Sequence, residues 1–196
     1  TYNRYDIRHI RENLSGVYSL MELEFGAGGA GTETNAQPKT YEGFTATLPV
    51  TQQIIKANNE TVVSIYYTRN SYTLTFDAAG GEGGGAQSVK YGDSIYAAYV
   101  NTAPVSREGY YLTGWSPEIS AGMTMPAHDM TFTAQWTRLD YVITYNLDGG
   151  SVSGTNPGGY NTSSDTITLI NPTKPGYAFI GWTGTELTAP TLLLTI

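Results

Sequence analysis

The groups in this sequence that could do chemistry are few and scattered. Gly26-Ala-Gly28-Gly29-Ala-Gly31 fits the dinucleotide fingerprint and follows a predicted strand, Met21 to Phe25. That fingerprint works only where a helix opens directly after it, because the helix N-terminus holds the pyrophosphate. Here Thr32-Glu-Thr-Asn-Ala-Gln-Pro38 follows, with β-branched residues and a Pro in the helix's place, so the stretch is read as a flexible loop. The two histidines, His9 and His128, have no triad or metal-ligand spacing around them and are expected to be structural or solvated. Asp77, Asp93, Asp129 and Asp148 stand singly, without the pairing a glycosidase needs or the alternating acids of a calcium loop. Lys39, Lys56 and Lys90 do not recur beside an Asn partner, so no Lys–Asn crosslink is expected. With no Cys, thiol catalysis, disulfides and thiolate-bound zinc are excluded. No catalytic, cofactor-binding or metal-binding residue is assigned, no cofactor is expected, and the chain is not expected to be an enzyme.

Charge narrows the partners. Ten Lys+Arg against 17 Asp+Glu give a net charge of −7, which leaves no basic surface for nucleic acid. Four Lys cannot form a polybasic membrane patch. No apolar run reaches the roughly 18 residues of a membrane span, and Leu192-Leu193-Leu194 is far too short, so no membrane insertion is expected. The chain opens at Thr1 rather than at an initiator Met and is read as a piece of a longer protein.

The elements that carry these residues are expected to be strands. Gly (23) and Pro (9) break helices, Thr is abundant, and the 16 Tyr favour strands. The sequence also repeats itself. Thr-x-x-x-Tyr before an alternating apolar run occurs at Thr1 to Tyr5, Thr68 to Tyr72 and Thr137 to Tyr141. Gly followed by an aromatic recurs at Gly43-Phe44, Gly109-Tyr110 and Gly176-Tyr177, each after a Pro. Gly-Trp follows at Gly114-Trp115 and Gly181-Trp182. Three markers at one period mean tandem units of roughly 68 residues. In the second unit the strands are expected at Tyr72 to Phe76, Gln87 to Tyr91, Tyr110 to Trp115 and Met130 to Trp136, with a short helix from Ile95 to Val100 capped by Asp93 or Ser94. The third is expected to repeat this with Tyr141 to Leu147, Thr166 to Ile170 and Tyr177 to Trp182. Trp115 and Trp182, at matching places, are expected in the cores.

Units two and three resemble the Listeria–Bacteroides repeat, the B-repeat type of internalin surface proteins. The matching residues are Tyr72-Thr-Leu-Thr-Phe-Asp-Ala-Ala-Gly-Gly81, Val89-Lys-Tyr-Gly92, Gly109-Tyr110, Gly114-Trp115, Thr131-Phe-Thr-Ala-Gln-Trp136, and then Tyr145-Asn-Leu-Asp-Gly-Gly150, Pro175-Gly-Tyr177 and Gly181-Trp182. Unit one resembles a mucin-binding-like module through Tyr18-Ser-Leu20, Tyr41-Glu-Gly-Phe44 and Ile65-Tyr-Tyr-Thr68. The resemblance implies a mainly β chain with little helix, built of tandem β-grasp (ubiquitin-like) modules arranged end to end. The expected division is 1–4 (tail of a preceding repeat or linker), 5–70 (mucin-binding-like module), 71–139 (first Listeria–Bacteroides repeat) and 140–196 (second repeat, lacking its closing strand).

The resemblance implies a secreted or wall-attached protein on the surface of a Gram-positive bacterium. The expected role is a non-catalytic stalk or spacer for an adhesin, with direct binding of a host glycoprotein, mucin or glycan as the alternative. The expected partners are neighbouring repeats of the same chain and a host surface protein or glycan. If no metal supports the fold, a thermal melt should be unchanged by EDTA; a fall of several degrees in the melting temperature on chelation would reveal a calcium loop.

Overall fold

The computed structural model describes residues 2–184 and 187–192. Thr1 of the first repeat marker and Leu193-Leu194 of the terminal apolar run lie outside the described residues. The described chain is mainly β, with a single helix of six residues. It divides into two compact units, residues 1–105 with 114–135, and residues 106–113 with 136–196.

The first sheet is built from β1 (Tyr2–Glu12), β2 (Tyr18–Gly29), β3 (Phe44–Ala46) and β4 (Thr61–Arg69), in the order β2-β1-β4-β3. β1 and β2 are an antiparallel hairpin, turned through Asn13, whose side chain accepts the Ser15 and Val17 N–H groups. β1 and β4 run parallel, from Tyr5 opposite Thr61 to Arg11 opposite Tyr67. Alternation puts Tyr5, Ile7, Val63, Ile65 and Tyr67 on one face, where the crossover covers them with Ala36, Tyr41, Val50 and Ile55. The strand β2 continues through Gly26 to Gly29, which corrects the reading of that glycine run as a loop. Gly26 pairs with Tyr5, whose ring lies where a Cβ on Gly26 would stand. Glycine is there to let the aromatic lie over the strand, not to cradle a phosphate.

The second sheet repeats the plan with β5 (Ser71–Asp77), β6 (Gly85–Lys90), β7 (Tyr110–Ser116) and β8 (Met130–Arg138), in the order β6-β5-β8-β7. β5 and β6 are antiparallel, and β5 and β8 are parallel from Leu74 opposite Met130 to Asp77 opposite Thr133. Between them lies α1 (Ile95–Val100), capped by the Ser94 hydroxyl accepting from the Ala97 N–H. Its core holds Leu74, Phe76, Val89, Ile95, Met125 and Phe132, with Phe132 stacked on Phe76 at 5.7 Å. Trp115 packs edge-on against Phe76 at 5.5 Å but is only half-buried, and its indole N–H has no acceptor among the described residues.

The third segment keeps the plan in outline. Among the described residues only β9 (Tyr141–Val142) and β10 (Gly159–Tyr160) form a ladder there, extended by the Ile143 N–H bonding to Gly158. Tyr141 to Leu147 is therefore strand over its first two residues alone, and Thr166 to Ile170 and Tyr177 to Trp182 are not strands. A strand persists only where a neighbour's backbone groups are aligned with its own, and here the described residues provide little of that. The local signatures survive nevertheless. Ala79-Gly80 and Asp148-Gly149 are each two successive left-handed residues, with the turn held by the side chains of Asp77 and Asn146 on the N–H groups of Ala79 and Asp148. Trp182 is buried, 5.8 Å from Tyr145, and its indole N–H donates to Asn171. Truncating the stacked pair in the second sheet by Phe132→Ala should cost about 3–5 kcal/mol in urea unfolding, as for other large core truncations.

Candidate functional site

The described residues bring no His, Asp or Glu cluster together that could hold a metal ion. His9, on β1, is fully buried. Its Nδ1 is 2.7 Å from the Tyr67 hydroxyl and its Nε2 is 3.2 Å from Glu24. The Glu24 carboxylate can only accept, which assigns the ring proton to Nε2 and leaves Nδ1 to accept from the Tyr67 hydroxyl, whose oxygen also accepts from the Lys39 N–H. Lys39 bridges Glu22 and Glu24 at 2.5 and 3.0 Å. Its hydrogen bonds hold both carboxyls below the usual carboxylate range, and burial with Glu22 pushes the Tyr41 hydroxyl up. This network is closed to solvent at its histidine and welds the crossover to the sheet.

The other sequence candidates are dispersed. His128 is exposed and its ring contacts the Asp129 carbonyl. Asp129 accepts from the Thr73 N–H, Asp77 caps its own turn, and Asp148 pairs with Lys174. Asp93 alone joins a larger assembly, which sits where β4 runs into β5.

That joint is the most elaborate polar site in the first unit. Arg69, the last residue of β4, has a side chain only 5% exposed. Its guanidinium donates to Asp93 at 2.5 Å, to the Tyr91 carbonyl at 3.0 Å and to the Leu14 carbonyl at 3.5 Å. Its backbone N–H donates to Glu12, whose buried carboxylate also accepts from Lys90 at 2.5 Å. Groups from the β1–β2 turn, the end of β4 and the end of β6 thus share one set of charges. The planar fork of Arg suits this, since it satisfies a carboxylate and two carbonyls in one plane of donors. Beside it, the Asn70 N–H donates to Gly43 and the Tyr91 N–H to Asn70, both at 2.8 Å. Gly43, at φ 76°, is seated against the Tyr91 ring, which a Cβ would strike, and Phe44 meets that ring edge-on at 5.7 Å.

The backbone half of this arrangement recurs within the other compact unit, that of residues 106–113 and 136–196. The Leu139 N–H donates to Gly109 at 2.8 Å, and Gly109, at φ 72°, is seated against Thr162. The charged half does not recur. Arg138, at the place of Arg69, is 43% exposed and among the described residues pairs with Asp140 at 3.8 Å, while Asn161 occupies the place of Lys90 and bonds to Asp140. The Thr-Arg shared by the two joints is plain in the sequence, but the role of Arg69 is not, because its partners Glu12 and Asp93 are far off in the chain and carry no motif.

Lys90 first, then the Arg69 N–H, hold the Glu12 carboxyl below its ordinary value of 4.5. A carboxyl depressed in the folded state contributes stability above its unfolded pKa and loses it as pH falls through the folded value. Unfolding midpoints should therefore fall as pH drops below about 4.5, and Glu12→Gln should flatten that fall. Arg69→Ala removes the guanidinium bonds to Asp93 and to the Tyr91 and Leu14 carbonyls, leaves the backbone bond to Glu12, and should cost about 1–3 kcal/mol in chemical unfolding at neutral pH, with Arg69→Lys recovering only part.

The model of the Listeria-Bacteroides repeat domain matches twice, over residues 72–135 and 141–190. Among similar curated proteins, a putative membrane protein of Evansella cellulosilytica is 29% identical over 60% of this chain and 18% of its own length. Internalin H of Listeria monocytogenes is 36% identical over 41% of this chain and 15% of its own length. A putative Gly-rich membrane protein of Evansella cellulosilytica is 25% identical over 81% of this chain and 19% of its own length. The chain thus spans less than a fifth of each of these relatives. No helix among the described residues is long and apolar enough to cross a membrane. With its two matched segments covering more than half of the sequence, the chain belongs to the Listeria-Bacteroides repeat family.

Proposed function

We propose that this chain is a non-catalytic stalk region, a series of β-grasp modules that spaces an adhesive part of a longer bacterial surface protein from the cell. The family and the likeness to an internalin suggest a repeat region of a surface protein. The observation that carries the mechanical reading is the Arg69 joint. Two sheets of the same strand order are joined with no linker beyond Asn70, and each ion pair that fastens them has one buried member, Arg69 or Glu12, with a partly exposed partner, Asp93 or Lys90. A buried fork of this kind resists bending at the joint, because bending would expose Arg69 and Glu12 without partners. The β-grasp reading rests on the shared order, hairpins at both edges of a parallel central pair.

A second reading, direct binding by the first module, is favoured by one feature. The face of the first sheet opposite its core presents Tyr18, Leu20, Leu23, Phe25 and Tyr66 to solvent, with Arg8 exposed among them. Contiguous exposed apolar surface of this kind is where partners dock, and a host glycoprotein or glycan is the partner in this reading.

Small-angle scattering on the whole chain distinguishes a stalk from a globule. A single 196-residue globule should have a radius of gyration of about 16 Å, and modules in line about 26 Å. The larger value is expected; the smaller would overturn the stalk.

A further inference from the structure

Arg11, near the end of β1, is half-buried, yet among the described residues its guanidinium makes no hydrogen bond and no ion pair. Two rings hold it instead. Its central carbon lies 5.0 Å from the centre of the Phe44 ring and 5.9 Å from that of Tyr41. Contacts of this kind orient the guanidinium but leave its N–H donors free. Arg69, by contrast, commits its donors to Asp93 and two carbonyls. A guanidinium that has lost part of its water without gaining an acceptor is under-compensated, and an anionic ligand would restore the missing bonds.

The surroundings agree with that sign. Arg11 stands in the wall of a groove of about 510 Å³ within the first compact unit, between the β1–β2 turn and the Tyr91-Gly92 segment after β6. The other charged residues of its lining are already engaged. Glu12 accepts from Lys90 and from the Arg69 N–H, and Arg69 is paired with Asp93. Glu22, which accepts from the Tyr41 hydroxyl, is held by Lys39 as well. The lining therefore presents one unpaired cation, in a chain whose net charge is −7.

The remaining walls are apolar or neutral. Leu14, Met21, Phe44 and Tyr91 supply hydrocarbon and ring surface, and Ser19 supplies a hydroxyl that has no partner among the described residues. A sugar acid matches this set. Its carboxylate fits the guanidinium fork, its C–H face the apolar walls, and a ring hydroxyl the serine.

We propose that this groove binds the carboxylate-bearing sugar of an acidic glycan, with Arg11 selecting the charge. The groove shares only Leu20 with the exposed face of the first sheet, and it depends neither on that face nor on the mechanical role. It stands or falls apart from the scattering result.

The test titrates the whole chain with sodium glucuronate at fixed ionic strength and follows the NMR signals of the Met21 methyl and the Phe44 and Tyr91 rings. These should shift saturably. Arg11→Gln should weaken binding about tenfold, whereas Arg8→Gln, on the opposite face of the sheet, should leave it unchanged. Two comparisons need no variant. Glucose, with the ring but not the charge, and acetate, with the charge but not the ring, should each bind about tenfold more weakly than glucuronate. No saturable shift, or binding that survives Arg11→Gln, would overturn the proposal. Acetate matching glucuronate would reduce the groove to a general anion seat. N-acetylalanine surpassing glucuronate would assign it to the end of a polypeptide. Either result would overturn the acidic sugar.

Discussion

Parallel neighbours cannot be joined by a tight turn, and this constraint orders everything else in the two complete sheets. With β1 beside β4 and β5 beside β8, the chain must leave the sheet, cross its face and return. The crossing segment becomes the lid of the core, carrying Ala36 and Ile55 in one case and Ile95 and Met125 in the other. The remaining strands can then only be hairpin partners at the edges. The same pairing sends the end of the fourth strand out at the far end of the sheet from the start of the first. The next sheet can therefore begin at once, as Ser71 does after Asn70.

Where apolar area is limited, buried polar groups define which arrangement is the native one. A unit of this size buries a modest share of its surface, so His9, Glu12 and Arg69 occupy interior positions that a larger core would give to Leu or Ile. Each is satisfied by groups distant in sequence, and a displaced register would leave a charge or ring nitrogen without a partner. One donor, Nε of Arg69, stays unpaired among the described residues, which is a small loss beside the three bonds of its neighbours.

Much of the architecture was legible because its signals are local. The alternation of Tyr72-Thr-Leu-Thr-Phe76, the Ser94 cap and the stop of α1 before Pro104 depend on a few adjacent residues. The third segment was less legible for the opposite reason. Tyr177 to Trp182 has the composition of β7, but a strand also needs a neighbour, and composition does not say whether one is present. The glycine run at 26–29 misled for a related reason, since the ring of Tyr5 that demands Gly26 comes from 21 residues earlier in the chain and no fingerprint encodes it. The Arg69 joint was invisible in the same way. Its parts are ordinary Arg, Glu, Asp and Lys, and only the fold makes them one site.

The seat formed by Gly43 and Gly109 bears on how such chains lengthen over evolutionary time. Its recurring contact is between main-chain groups, from the N–H of residue 70 or 139 to a glycine carbonyl, and it accepts a Tyr ring in one case and a Thr side chain in the other. A fitting that reads backbone and ignores side chains places almost no demand on the residues around it. A gene segment encoding one unit can be duplicated or lost, and the copies can diverge at nearly every surface position, while the seat still closes. The charged fork at Arg69 is then a local reinforcement added to a general-purpose coupling.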